Sequence, residues 1–369
     1  MISPLLALAF LPAVLSLNAS IAYGILTAPG APPRSIGNLS SAISAAIATV
    51  FASSGDATLT LKNSTSFYNY LVLTGDYTAD APLTLVPGLA LVLDSASLTA
   101  ASPTLPGTNA LVSAVGAPWS AVLGRGTARL ACSPTGGALA PYAIYAGQSP
   151  AFVVDGLQIS DCDCVHLEGT PYVTGGEVAN CLITHSRGRA IWTEKIMRAV
   201  IHGNVVVNAS AHTIDADAFT SNALIMNNTV SLSRQEAVFI EQGASSVTVV
   251  DNTLGPGNFV GVAVYNNAIG QTTTGHVIAR NRIFGCTHAG VSVGSTAPRE
   301  GAPDMSVLVA GNELWDNSGQ GIHTNGGQLG TIYVSNADSD GVSLNTLKAG
   351  TAQNISFADP CDRVTVASQ

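Results

Sequence analysis

The second half of the chain is built on a recurring interval. Asn followed by alternating apolar residues appears at Asn180-Cys-Leu-Ile, Asn204-Val-Val-Val, Asn228-Thr-Val, Asn252-Thr-Leu, Asn281-Arg-Ile and Asn312-Glu-Leu. The first four stand 24 residues apart, and the next two intervals are 29 and 31. Before each of the last five runs a short segment that alternates with period two: Ala190-Ile-Trp-Thr, Thr213-Ile-Asp-Ala-Asp, Ala237-Val-Phe-Ile-Glu, Gly261-Val-Ala-Val-Tyr and Gly290-Val-Ser-Val. Gly321-Ile-His-Thr starts another turn of the pattern. Each unit thus holds at least two short strands and has no room for a helix. Strands recurring at a fixed interval can stack on their equivalents about 4.8 Å above, forming long parallel sheets around an apolar interior. The Asn column then reads as an internal ladder of amides bonded from coil to coil. A leucine-rich repeat has a similar period but needs a Leu consensus, which is absent.

Composition supports an all-β chain and excludes several classes. Charged residues are 10% of 369 and apolar residues 47%, against roughly 25% charged in an average soluble protein. This is neither a disordered chain nor a coiled coil. With 14 Lys and Arg and a net charge of −9, the chain lacks the clustered cations that nucleic-acid backbones require. The 37 glycines suit many short strands joined by tight turns.

Export is expected. The apolar run Leu5–Leu17 matches a secretory h-region, with small residues for cleavage near positions 19 to 22, so residues 1–22 read as a signal peptide. Pro12 and the run's shortness argue against a membrane span. Sequons stand at Asn38, Asn63, Asn208, Asn227 and Asn354. The six cysteines, Cys132, Cys162, Cys164, Cys181, Cys286 and Cys361, suit disulfides in an oxidising compartment, with fifteen pairings open. Residues 23–369 are expected to form one monomeric domain. Leu39, Ile43, Ile47, Val50 and Phe51 share one face at helical spacing, which predicts a capping helix within a cap over about residues 36–70.

The repeat resembles the right-handed parallel β-helix of the pectate-lyase-like superfamily, most closely over about residues 150–345. Handedness is what the resemblance implies; the period alone leaves it open.

Stepping by 24 residues assigns faces. Val262 and Val264 point inward, as do Val238 and Ile240, then Ile214 and Ala216, and one coil earlier Trp192. Thr193, Asp217, Glu241 and Tyr265 then share an exterior column, with Asp215 beside it. His212 and Glu236 lie in the turn leading into that face, and Arg187, Arg189 and Arg234 gather on the same side. Two unit charges 5 Å apart repel by roughly 3 kcal/mol at an effective dielectric near 20. Stacked carboxylates therefore call for a cation, a shared proton or nearby arginines.

Carboxylates without clustered Cys or His favour a hard ion, Ca²⁺ before Zn²⁺. The resemblance implies the same, since pectate lyases hold Ca²⁺ with an Asp-x-Asp and an acid on the next coil, which match Asp215, Asp217 and Glu241. The leading expectation is Ca²⁺-assisted β-elimination or C5 epimerisation on an acidic polysaccharide. Arg234, Arg187, His212 and Glu236 would then handle charge and protons. One alternative is glycoside hydrolysis by Asp217 and Glu241, which retaining enzymes place roughly 5–5.5 Å apart. The other is a non-catalytic glycan-binding coil. The signature motifs of polygalacturonases and mannuronan epimerases are absent. Tyr265 could donate a proton or cap the column by stacking. His323 and Asn325 reach the same face two coils on and could bind sugar.

Overall fold

The computed structural model describes residues 20–22, 25–29, 58–63, 69–132, 140–266, 273–295, 305–317, 320–324, 330–335, 345–347, 355–357 and 363–367. Among them there are strands and turns but no α-helix, and none long and apolar enough to cross a membrane. The strands Ser20–Ala22, Ile25–Pro29, Thr58–Asn63 and Asn69–Ala79 pair antiparallel in succession. Asn69–Ala79 then pairs parallel with Leu89–Ala100, and parallel pairing continues to Arg363–Ala367.

The helix expected over Leu39–Phe51 lies outside the described residues, as does the signal segment apart from Ser20–Ala22. Where the expected cap is described, it is strand, and the reason is local. Thr58-Leu-Thr-Leu-Lys alternates polar and apolar residues with period two, the pattern of a strand and not of a helix.

Contacts divide the chain into two compact units, Met1–Thr170 with Asn180–Leu182, and Pro171–Ala179 with Ile183–Gln369. The first has a leucine-rich interior that includes Leu71, Leu73, Leu91 and Leu93, and it carries a disulfide between Cys132 and Cys162. Cys164 is also buried there, and Cys361 lies outside the described residues.

The second unit contains the repeat. Ile214 pairs with Val238, Val238 with Val262 and Val262 with Val291. These residues and Ala216, Ile240, Val264 and Val293 are fully buried, so the expected inward set is the observed one. The ladder is equally regular. Asn204, Asn228, Asn252 and Asn281 each donate from Nδ2 to Oδ1 of the next Asn, the last reaching Asn312, at 2.9–3.0 Å. Each Oδ1 also accepts the main-chain N–H of the Asn before it, at 2.9–3.0 Å. The second Nδ2 hydrogen goes to a main-chain carbonyl such as Ile201 O or Ile225 O. A buried amide with both donors and its oxygen engaged is a satisfied polar core rather than a burden.

Asn180 does not belong to this ladder. It is exposed, left-handed at φ 52°, and donates to Asp155 Oδ1 at 2.8 Å. Each ladder Asn is preceded by a left-handed residue, namely Gly203, Asn227, Asp251, Arg280 and Gly311. Asn180 fills that preceding slot, and buried Cys181 fills the ladder slot. Leu182–Thr184 accordingly repeats the burial pattern of Val205–Val207. The interval from Cys181 to Asn204 is 23 residues, not 24. Ile191–Glu194 pairs with Ile214–Asp217, again 23 apart, whereas Met197 pairs with Ser221 at 24. The later coil therefore has one more residue in the corner after Asp217. That corner also absorbs the longer intervals, since Ile240 pairs with Val264 at 24 but Ser245 with Thr274 at 29.

Candidate active site

The one-residue difference decides which side chains share the outer face. Trp192 pairs with Asp215, Thr193 with Ala216 and Glu194 with Asp217. The sequence reading had Trp192 inward and Thr193 outward; the structure reverses both. Thr193 is fully buried in the coil and donates from Oγ1 to Asp215 O at 3.1 Å. Glu194 takes the place in the exterior column that was expected of Thr193. The strands Ile214–Asp217 and Glu236–Ile240 continue that column, since Glu241 N–H donates to Ala216 O at 3.1 Å and sets Glu241 beside Asp217.

Asp215, Asp217 and Glu241 converge as expected, each offering a carboxylate oxygen within 4.8 Å of the others. They lie outside the coil but not in open solvent. Asp215 is 0% exposed and Asp217 and Glu241 are 4% exposed. Arg189 donates from Nε to Asp215 Oδ2 while its guanidinium lies over the Trp192 ring, 4.3 Å from the centroid. Trp192 in turn donates from Nε1 to Asp217 Oδ2 at 3.2 Å. The corner after Asp217 turns back so that Ala218 N–H donates to Asp217 Oδ1 at 2.6 Å.

Burial gives these acids unusual proton affinities. Burial, then the charge of Asp217, pushes Asp215 up from 3.8 to about 7, against the pull of Arg189. Burial likewise raises Asp217, against the Ala218 N–H, Arg189 and the Trp192 hydrogen bond. Asp215 Oδ1 is buried with no hydrogen-bond partner.

The remaining candidates fall around this cluster. His212 Nδ1 bonds Glu236 Oε2, and its ring stacks on Phe239 with centroids 4.3 Å apart. Burial alone would lower His212, but the Glu236 hydrogen bond and the charges of Asp215 and Glu236 hold it above its ordinary value. Tyr265 packs against Phe239 at 5.9 Å and its hydroxyl lies 3.1 Å from Ser292 Oγ, which suits a cap on the column. His323 pairs with Ser292 and so stands three rungs beyond Phe239, and Asn325 lies outside the described residues. Arg187 and Arg234 are exposed. Among the charges acting on Asp215 are Asp217, Arg189 and Glu241, and among those acting on Asp217 are Arg189 and Glu194. Arg189 is thus an arginine brought to the acids. Trp192 and Glu194 were missed by sequence reasoning, because anchoring the step on Asn180 shifted their strand by one residue.

The family described as right handed beta helix region matches residues 139–274. The chain folds as a right-handed parallel β-helix. Among solved structures, this β-helix is similar to a polygalacturonase from Erwinia carotovora ssp. carotovora, with 12% identity and a TM-score of 0.53 over 79% of this chain and 87% of that one. It is similar to the periplasmic alginate epimerase AlgG, at 10% identity and TM-score 0.54 over 82% and 86% of the two chains. A third likeness is to endopolygalacturonase I from Stereum purpureum, at 14% and 0.55 over 81% and 94%. No curated protein sequence matches the chain.

Proposed function

We propose that this β-helix hydrolyses a glycosidic bond of a polysaccharide, with Asp217 and Glu241 as the reacting carboxyl pair. The observation that carries the reading is a carboxyl cluster within 4.8 Å, on the outer face of the coil, in which burial raises Asp217. Glycoside hydrolysis needs one carboxyl that holds a proton for the leaving oxygen and one that is ionised. Asp217 fits the first role. Glu241 fits the second, and its closeness suits the roughly 5–5.5 Å spacing of a nucleophile rather than the roughly 6.5–9.5 Å that leaves room for water. Asp215, locked to Arg189, orients the cluster. The neighbouring folds include polygalacturonases.

A second reading keeps Ca²⁺. Oxygens on opposite sides of a Ca²⁺ ion stand about 4.8 Å apart at ordinary bond lengths, and the buried, unbonded Asp215 Oδ1 is a ready ligand atom. Asp215, Asp217 and Glu241 fit such an ion and would hold it. It would supply positive charge against a substrate carboxylate.

The test is product analysis on a polysaccharide panel. Hydrolysis predicts new reducing ends without ultraviolet-absorbing unsaturated uronate, and a loss of at least about 100-fold in kcat for Asp217→Asn or Glu241→Gln. Unsaturated product abolished by EDTA would overturn it in favour of elimination.

A further inference from the structure

We propose that Asn208 and Asn227 are sites of covalent N-linked glycosylation, each carrying an oligosaccharide whose first sugar packs on an exposed apolar side chain beside it. The inference is independent of the hydrolytic reading above and rests on passage of the chain through a secretory compartment. Both asparagines stand in sequons, Asn208-Ala-Ser210 and Asn227-Asn-Thr229, the pattern whose hydroxyl the transferring enzyme recognises. Asn38 and Asn354 lie outside the described residues, and Asn63 is described in its main chain alone. Asn208 follows the strand Val205–Val207, and Asn227 follows the strand Leu224–Met226. Each turns the chain there in the left-handed region, at φ 63° and 54°, with its side chain exposed.

A left-handed corner favours Asn for its backbone alone, so the other asparagines in that conformation are the comparison. Among the described residues they are Asn109, Asn180 and Asn222. Asn109 Oδ1 accepts the Leu105 N–H at 2.7 Å, and Asn180 Nδ2 donates to Asp155 Oδ1 at 2.8 Å. None of the three has Ser or Thr two residues on. Asn208 and Asn227 combine such a hydroxyl with an amide that has no hydrogen-bond partner among the described residues. An oligosaccharide on either Nδ2 therefore displaces nothing. Asn228, next in the chain to Asn227, is the opposite case, since its Nδ2 hydrogens are committed to Ile201 O and Asn252 Oδ1. Each acceptor also has exposed apolar surface beside it. Val207 pairs with Ser231, so Leu232 stands one rung, about 4.8 Å, beyond Asn208, and it is 50% exposed. Val205 pairs with Thr229, two residues from Asn227, and is 40% exposed. The C–H groups and acetyl methyl of an Asn-linked N-acetylhexosamine would cover such surface and remove it from water. In the transfer the amide nitrogen attacks the anomeric carbon of a lipid-linked oligosaccharide pyrophosphate. The C–N bond forms as the C–O bond breaks, the lipid pyrophosphate leaves, and the amide proton passes to a base on the transferring enzyme. Both glycans would stand at corners other than the one that follows Asp217.

The experiment secretes the full chain from a eukaryotic host and maps its peptides by mass spectrometry, before and after peptide N-glycosidase in heavy-oxygen water. Both asparagines are expected to be occupied in most molecules. Ser210→Ala should remove the glycan from Asn208 alone and Thr229→Val from Asn227 alone, while Thr229→Ser keeps it. These changes leave the left-handed asparagines and the ladder in place. Unmodified asparagine at either position in the secreted protein overturns the assignment for that position. A chain kept in the cell without glycan overturns both, through the export on which they rest. Packing of the first sugar is read with a hydrophobic dye on folded protein. The Ser210→Ala, Thr229→Val double variant should bind more dye than wild type trimmed by an endoglycosidase to its first sugar, and Leu232→Ser in both should shrink the difference. Equal dye binding by the double variant and the trimmed wild type refutes the packing.

Discussion

His276 should make stability fall on mild acidification, by an amount the structure allows to be worked out. It points into the coil, paired with Val307 and two residues from Ile278, and is 1% exposed. Nδ1 accepts the Val247 N–H at 3.3 Å, which leaves the ring proton on Nε2, and only the Ala244 main chain opposes the effect of burial. Burial pushes the ring down from 6.5 to about 4. Between these values the unfolded chain binds a proton that the native chain refuses, so stability is intact above pH 6.5 and is lost as pH falls toward 4. At about 1.4 kcal/mol per tenfold change in affinity, the loss approaches 3 kcal/mol, which is about 4 °C in the midpoint of a chain this long.

Wild-type protein conceals this loss, because Asp215 acts in the opposite sense. Raised from 3.8 to about 7, it contributes stability that is complete below 3.8 and is lost as pH rises through 7. The two windows overlap from pH 4 to 6.5, and there the slopes oppose each other. The assay is thermal unfolding of wild type, His276→Gln and Asp215→Asn at half-unit steps from pH 4 to 8. Relative to wild type, His276→Gln should gain about 4 °C on going from pH 6.5 to 4, and Asp215→Asn should gain stability on going from pH 4 to 7. Curves that run parallel to wild type would refute the reasoning, whatever their vertical offset.

Three further outcomes are expected. Asp217→Asn removes a buried like charge beside Asp215 and Glu241, so at pH 8 its thermal midpoint should match or exceed wild type while turnover is lost; a midpoint several degrees lower would contradict this. Asn252→Ala strands the main-chain and side-chain N–H groups of Asn228 together with Ile225 O. At about 1–3 kcal/mol per buried group left without a partner, it should cost about 4 kcal/mol, measured by urea unfolding. Arg189→Gln leaves Asp215 buried without its cation, so the acidic group should titrate at higher pH, and stability above pH 7 should fall by about 3–5 kcal/mol. An unshifted pH–rate profile would count against the role given to Arg189.

The interior of the repeat was legible because valine and isoleucine at period two have one way to face a core. The ladder from Asn204 to Asn312 was legible because a buried amide repeated at one position finds partners only in its copies. Asn180 misled for a physical reason. Asn is favoured both in the ladder and in the left-handed position just before it, so identity alone cannot separate two adjacent slots. The acids of Ile214–Asp217 and Glu241 were found because their coil and the next share one period. Their burial was not legible, since it depends on Trp192 and Arg189, which come from a coil one residue shorter. The antiparallel start, Thr58–Asn63 against Asn69–Ala79, escaped notice because the helical spacing upstream drew the reading toward a helical cap.

Between Asn204 and Asn312 length variation collects at one corner, the bend that follows the acid-bearing strands. The ladder and the inward valines keep their register there, so that bend serves as the expansion joint of these coils. Residues can be gained or lost there without disturbing a single rung. Descendants of such a chain could therefore remodel the rim of the acidic cluster freely, and alter what is admitted to it, while inheriting the scaffold unchanged.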